Sequence, residues 1–68
     1  MYNQEEIPLS ELQIGVTYQF DGDLIPCGHD TVVRKLTAIK EDRLITECWR
    51  QWKINENLHV YKWWGKQH

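Results

Sequence analysis

The residues best suited to chemistry are two cysteines and a nearby histidine. Cys27 and His29 are separated by a single residue, and Cys48 lies further along the chain. Thiolate and imidazole are preferred ligands of zinc, and a thiol beside an imidazole can also act as a nucleophile with its base. The two-residue spacing that usually pairs zinc-binding cysteines is absent, so the sequence predicts no metal and no cofactor. We interpret Cys48 instead as a small residue of the core.

An enzyme is not predicted either. Nucleophilic catalysis needs an oriented base, an oxyanion site and a pocket that excludes water, and 68 residues leave little room for them. Asp21, Asp23 and Asp30 fit no calcium-loop spacing, so we interpret them as solvated acids of turns. The four glycines are isolated from one another, and no phosphate-binding loop is recognised. These observations favour a protein that binds a partner over one that transforms a substrate.

Acidic and basic residues are segregated along the chain. Residues 1–33 contain six acids and no Lys or Arg, whereas residues 34–68 contain eight basic and four acidic residues. The two halves therefore carry −6 and +4, which gives the net charge of −2. The basic half also holds the four Trp residues. Flat rings interleaved with cations can anchor a protein interface or stack on the bases of a nucleic acid.

The first part of the chain predicts one strand and one loop. Apolar and polar residues alternate over residues 14–20, which is typical of a half-buried strand. The sequence Asp-Gly-Asp at 21–23 predicts the end of that strand. Residues 24–30 contain Pro and Gly among polar residues, so an ordered loop is expected.

The rest of the chain predicts three strands joined by two turns. The expected strands are residues 31–39, 44–54 and 58–64. The polar residues 40–43 form the first turn, and Asn-Glu-Asn at 55–57 forms the second, because Asn tolerates positive φ.

The last two predicted strands define a candidate contact face. Because side chains alternate across a sheet, a turn at residues 55–57 fixes which residues face each other. The inner pairs are expected to be Ile54–Leu58, Trp52–Val60, Arg50–Lys62 and Cys48–Trp64, and the outer pairs Lys53–His59, Gln51–Tyr61 and Trp49–Trp63. The predicted binding residues are Trp49, Arg50, Lys53, Tyr61, Lys62 and Trp63.

These strands predict an all-β fold in a single domain of residues 1–68. A meander of so few strands must curl to enclose a core from one apolar face. The segment LSELQIGVTYQF at 9–20 resembles the entry of many SH3-like barrels, in which a short turn, a glycine and an alternating strand come together. The predicted fold is a small SH3-like antiparallel barrel or meander of about four to five strands.

A helix at about residues 41–53 is the alternative, which would make the fold α+β. The apolar residues of this segment also recur at spacings of three and four, as in an amphipathic helix. We prefer a strand because the segment contains several weak helix formers and because residues 55–57 suit a hairpin.

The sequence therefore predicts a small non-enzymatic binding module that acts through a protein–protein interface, as an adaptor, an accessory subunit or an inhibitor of a larger protein. The alternative is a single-stranded nucleic-acid-binding domain that uses the same rings for stacking and the same cations for phosphates. No apolar run approaches the roughly 20 residues that span a bilayer, and no secretory leader is recognised. We expect a cytoplasmic protein with no membrane partner.

Overall fold

Five antiparallel strands form one sheet in the computed structural model, which describes residues 5–63. In chain order the strands are β1 (Thr17–Asp23), β2 (His29–Ile39), β3 (Arg43–Thr46), β4 (Arg50–Lys53) and β5 (His59–Lys62). Their order across the sheet is β4-β3-β2-β1-β5, so β1 to β4 form a meander and β5 returns to β1. The described residues contain short 3-10 turns but no α-helix, and thus no helix able to cross a membrane. The predicted all-β antiparallel meander is confirmed, and the alternative with a helix at 41–53 is wrong.

β1 starts later and ends later than the alternation predicted. Ile14 precedes the strand and is mostly exposed, whereas Phe20 is fully buried. The strand also continues through residues 21–23, which were predicted to be a turn. Gly22 fits there because a Cβ at this position would lie 3.0 Å from the Leu58 side chain and 3.2 Å from its Cα. The glycine therefore marks a close approach to the chain that enters β5, and does not break the strand.

Phe20 and Trp52 form the centre of the core. Their rings are stacked, with centroids 5.6 Å apart, and neither residue is exposed. The indole N–H of Trp52 donates a hydrogen bond to Thr46 Oγ1 at 3.2 Å. The buried Trp therefore has a partner for its polar atom, as large buried aromatic residues usually do. The other buried apolar residues are Leu12, Tyr18, Leu36, Leu44, Leu58 and Val60.

The segment predicted to be one strand at 44–54 is a hairpin. The chain reverses at Glu47–Trp49, and β3 pairs with β4. Leu44 faces Trp52, and the other pairs also join residues whose numbers have the same parity. Even-numbered residues therefore face inward on both sides of the turn, as they would in one continuous strand. The hydropathy pattern cannot distinguish these two arrangements.

β5 pairs with β1, so the predicted hairpin between the last two strands is wrong. Phe20 faces Val60, and the β4 residues face β3. The pairs predicted between residues 49–54 and 58–63 do not form. Trp64, the predicted partner of Cys48, lies outside the described residues.

The predicted turn at residues 55–57 is confirmed, but it connects β4 to a strand on the far side of the sheet. The N–H of Leu58 donates to the Asn55 carbonyl at 3.1 Å. The side-chain amides of Asn55 and Asn57 both donate to Asp23 Oδ2, at 3.2 and 3.0 Å. These bonds attach the turn to the end of β1, and the chain then continues alongside β1 as β5.

The sheet curls without closing into a barrel. Leu24 forms an isolated bridge with Trp52, and the N–H of Ile25 donates to the Gln51 carbonyl at 3.1 Å, so β4 approaches the chain that follows β1. The outer edge of β5 is covered by residues 5–7. β4 and β5 are both fully described, and they do not pair with each other.

Candidate binding site at the tip of the β3–β4 hairpin

Trp49 projects from the tip of the β3–β4 hairpin into solvent. It is 86% exposed, more than any other large apolar residue in the described part of the chain. Trp52 lies only three positions further along the same hairpin and is fully buried. Trp is among the residue types that most often dominate the binding energy of an interface. Its exposure makes Trp49 the first candidate for a contact residue.

The backbone at the tip is strained. Cys48 has φ 66° and ψ 23°, and Trp49 has φ 62°. This left-handed region costs an L-residue with a side chain roughly 1–2 kcal/mol. Hairpin turns that use it usually place Asn, Asp or Gly there, and neither Cys nor Trp shares their tolerance. Such strain persists only where the surrounding structure maintains it, and it is concentrated at functional sites.

Two polar contacts hold the tip against the rest of the sheet. The Glu47 carboxylate accepts a hydrogen bond from the backbone N–H of Lys35 at 3.2 Å. On the other side of the tip, Arg50 Nη1 lies 2.5 Å from Asp30 Oδ2 in a half-buried ion pair. The charge of Arg50 is therefore compensated within the chain. Arg50, which the sequence predicts as a contact residue, thus attaches the tip to Asp30 of β2.

A groove of about 410 Å³ opens directly beside Trp49. Its walls are Thr37, Thr46, Glu47, Cys48 and Trp49 itself. The Thr37 hydroxyl donates to the Ile45 carbonyl at 3.0 Å, which fixes this side chain on β2 across from the tip. The site thus combines a projecting ring with an adjacent recess.

The six predicted binding residues do not form one surface. Trp49, Arg50 and Lys53 belong to the β3–β4 hairpin, and Tyr61, Lys62 and Trp63 lie on or just after β5. β4 and β5 are at opposite ends of the strand order, so the predicted pairing of Trp49 with Trp63 is wrong. Lys53 is exposed at the base of the hairpin, opposite Arg43.

The three residues of the β5 group lie in a different environment. Trp63 is 40% exposed and lines a second groove, of about 500 Å³, with Lys62, Ile7 and Val16 among its walls. Tyr61 is half-buried, and its burial raises the pKa of its phenol. Tyr61 and Lys62 belong to β5, and none of the three residues has the positive φ found at Trp49.

Both cysteines are exposed free thiols. Cys27 lies in the loop between β1 and β2, and Cys48 lies at the hairpin tip. The interpretation of Cys48 as a core residue is wrong, because the turn at Glu47–Trp49 turns it away from the sheet. Among residues 5–63, no group of three or more His, Cys, Asp or Glu is arranged to hold a metal ion.

A polar cluster on the outer face of β1 and β2 was not predicted. His29 lies between two carboxylates, with Nε2 2.9 Å from Asp21 Oδ1 and Nδ1 3.1 Å from Asp23 Oδ1. These hydrogen bonds, first that with Asp23, raise the pKa of His29 above its usual value. Hydrogen bonds with Asn57, His29 and Asn55 lower the pKa of Asp23 to about 2. The spacing of Asp21 and Asp23 on one strand face was a usable signal, but the assignment of residues 21–23 to a turn concealed it.

The comparisons with known proteins identify no relative. No protein-family model, curated protein or solved structure matches the chain significantly. The function must therefore be argued from the geometry of the tip.

Proposed function

We propose that this chain is a small non-enzymatic binding module that contacts another protein through Trp49. The observation that carries the proposal is the 86% exposure of Trp49 on a backbone with φ 62°. Exposure of an indole to water and a left-handed backbone both cost free energy. Burial of the ring in the pocket of a partner would recover the first of these costs. An adaptor, an accessory subunit or an inhibitor could each use such a contact.

The charges near the tip favour a protein partner over single-stranded nucleic acid. Binding to phosphates requires cations that are free to replace counterions. Arg50, the basic residue next to Trp49, is already paired with Asp30. Glu47 adds a negative charge to the groove beside the ring. A protein interface anchored by one aromatic ring has no need of uncompensated cations.

The proposal includes a cytoplasmic location. Cys27 and Cys48 are exposed and unpaired, which suits a compartment that keeps thiols reduced. Fractionation of cells that carry the tagged chain tests this part, with recovery expected in the cytoplasmic fraction. Recovery outside the cytoplasm would contradict it.

Capture of partners from cells of the native host tests the binding site. The wild type is compared with Trp49→Ala and with Trp63→Ala, a matched change at a second exposed Trp. We expect Trp49→Ala to lose a protein that both the wild type and Trp63→Ala retain. Recovery should change little between about 0.05 and about 0.5 M salt, because an aromatic contact is weakly screened.

Two results would contradict the proposal. Unchanged recovery of every protein by Trp49→Ala would remove Trp49 from the site. Recovery that falls steeply with salt and disappears after nuclease treatment would instead support the nucleic-acid alternative.

A further inference from the structure

His29 contacts two carboxylates of β1 through both nitrogens of its imidazole ring, and we call these three residues the His29 cluster. Nε2 lies 2.9 Å from Asp21 Oδ1, and Nδ1 lies 3.1 Å from Asp23 Oδ1. An ionised carboxylate can only accept hydrogen bonds, so each contact needs a proton on the facing nitrogen. A neutral imidazole carries a proton on one nitrogen only. The two hydrogen bonds therefore form together only when the ring is protonated on both nitrogens.

Loss of one proton makes one of the two contacts repulsive. The nitrogen without a proton presents a lone pair to a carboxylate oxygen, and both atoms are then acceptors. The ring also loses the positive charge that attracts both carboxylates. Hydrogen bonds with Asp23 and Asp21 raise the pKa of His29, so this proton is lost above the usual value of 6.5. The cluster is intact at lower pH and is disrupted as the pH rises through the folded-state pKa.

The cluster lies at the ends of the loop 24–28, which connects β1 to β2. Asp23 and His29 face each other across the two strands immediately before and after this loop. Within the loop, the Leu24 N–H donates to the Gly28 carbonyl at 2.7 Å. Contacts between the histidine ring and the carboxylates thus hold the two ends of the loop together.

The two carboxylates have further partners that do not depend on the histidine. The Thr31 hydroxyl donates to Asp21 Oδ1 at 2.9 Å, and the side-chain amides of Asn55 and Asn57 donate to Asp23 Oδ2. These donors keep their protons when the imidazole becomes neutral. The carboxylates are therefore expected to stay in place, and the change is confined to the histidine and the loop before it.

The neighbouring charged groups are paired separately from the cluster. Asp30, the next residue of β2, belongs to the opposite face and pairs with Arg50. His59 lies across from Asp21 on β5, and its Nδ1 is 2.9 Å from Glu6 Oε2. This contact needs a proton on one nitrogen only, so a neutral ring can keep it.

We propose that the His29 cluster is a pH-sensitive switch that closes the loop 24–28 when His29 is protonated and allows it to open when His29 is neutral. The core lies on the opposite face of β1 and β2, so the sheet stays folded while the loop opens. The switch is separate from the contact through Trp49, and its failure would leave the proposed function unchanged.

NMR of the imidazole nitrogens tests the cluster itself. We expect both nitrogens of His29 to be protonated at about pH 6, and one proton to be lost with a midpoint above 6.5. Asp21→Asn keeps an oxygen that can face Nε2 and accept from Thr31, but it removes the charge. The pKa of His29 should therefore fall towards its usual value in this variant. The same pKa in the wild type and in Asp21→Asn would overturn the cluster.

Amide hydrogen exchange tests the opening of the loop. The Leu24 N–H reports on the loop, and the reference is the Lys40 N–H, which donates to the Arg43 carbonyl at 2.8 Å in the turn between β2 and β3. After correction for the intrinsic effect of pH on exchange, opening at Leu24 should increase about two- to fivefold between about pH 5.5 and about pH 8.5, as expected for the loss of one exposed ionic contact. Opening at Lys40 should not change. An exposed thiol can ionise near pH 8.5, so every protein compared carries Cys27→Ser.

Two histidine variants show whether His29 is the group that titrates. His29→Gln can still donate to one carboxylate but cannot gain a proton, so its opening at Leu24 should not depend on pH. His59→Gln changes the other histidine beside Asp21 and should behave like its parent. Opening at Leu24 that is constant with pH in the parent, or that increases equally in His29→Gln, would overturn the switch.

Discussion

The chain reverses direction in two contrasting ways. At the end of β1, the loop 24–28 and the turn 55–57 contain Pro, Gly and Asn, the residues that turns usually require. Asp23 holds these segments together by accepting hydrogen bonds from His29 and both Asn side chains. The reversal at Glu47–Trp49 contains none of these turn residues, and two of its members have positive φ.

The region around Asp23 stabilises the fold, whereas the strained backbone of the hairpin tip is maintained by the rest of the fold. The first region has turn chemistry that agrees with its backbone, and its polar groups are partnered. The second has a backbone that opposes its residues and a large ring left in water. A local conflict of this kind is consistent with the proposed contact through Trp49, because selection for stability alone would favour Asn or Gly at the tip.

The two Trp residues of the hairpin give the largest predicted contrast. Trp52→Ala removes a fully buried ring that stacks on Phe20, so we expect a loss of about 3–5 kcal/mol in the free energy of unfolding. Trp49→Ala removes an exposed ring and should change stability by less than about 0.5 kcal/mol. Chemical denaturation monitored by circular dichroism measures both.

Trp52→Phe provides a control if the alanine variant does not fold. It keeps an aromatic ring against Phe20 but loses the N–H bonded to Thr46, so a smaller loss is expected. Comparable losses for Trp49→Ala and Trp52→Ala would mean that the tip is part of the core, which would remove the basis for the binding site.

Local signals in the sequence predicted part of the fold. The β-branched and apolar residues at 31–39 predicted most of β2, and Asn55 and Asn57 predicted their turn. The pairing of β5 was not predictable, because it depends on contacts between residues far apart in sequence, such as Asn57 with Asp23. A turn at residues 55–57 allows the strand that follows it to pair either with β4 or with β1.

The candidate site was predicted only in part for a related reason. Trp49 was correctly singled out as an exposed ring, but its supposed partner Trp63 depended on the wrong strand pairing. The tip itself was invisible, since Glu47, Cys48 and Trp49 contain no turn signal and the reversal preserves the inward parity of Leu44 and Trp52. A strained turn formed by non-turn residues cannot be recognised from propensities.

Relief of the backbone strain at the tip should raise the free energy of unfolding, by less than Trp52→Ala lowers it. Cys48→Asn places a residue that tolerates the left-handed region at φ 66°, and we expect stability to rise by about 1 kcal/mol. Cys27→Asn is the matched control, because Cys27 is an exposed cysteine without positive φ. Equal effects of the two changes would show that the tip is not strained, and the argument from strain to function would fail.

The smallest predicted effect is a pH dependence that arises in the Asp23 region. Because the pKa of His29 is raised in the folded state, its contribution to stability is fully present below the unfolded value of about 6.5. That contribution is lost as the pH rises through the folded-state pKa. Asp23 behaves in the opposite sense, because its pKa of about 2 makes its contribution present above about 3.8 and lost as the pH falls towards 2. His29 is exposed and Asp23 is partly exposed, so solvent screening keeps the effects modest.

Thermal unfolding between about pH 5 and pH 9 measures this dependence, which should appear as a declining midpoint for the wild type across the titration of His29. His29→Gln should flatten the decline, because the side chain can still form hydrogen bonds but no longer carries a charge beside Asp21 and Asp23. His59→Gln, which changes the β5 histidine that pairs with Glu6, should leave most of the decline in place. If His29→Gln declined as steeply as the wild type, the carboxylates around His29 would contribute no charge-dependent stability. The region around Asp23 would then differ from the hairpin tip only in having residue types that suit its turns.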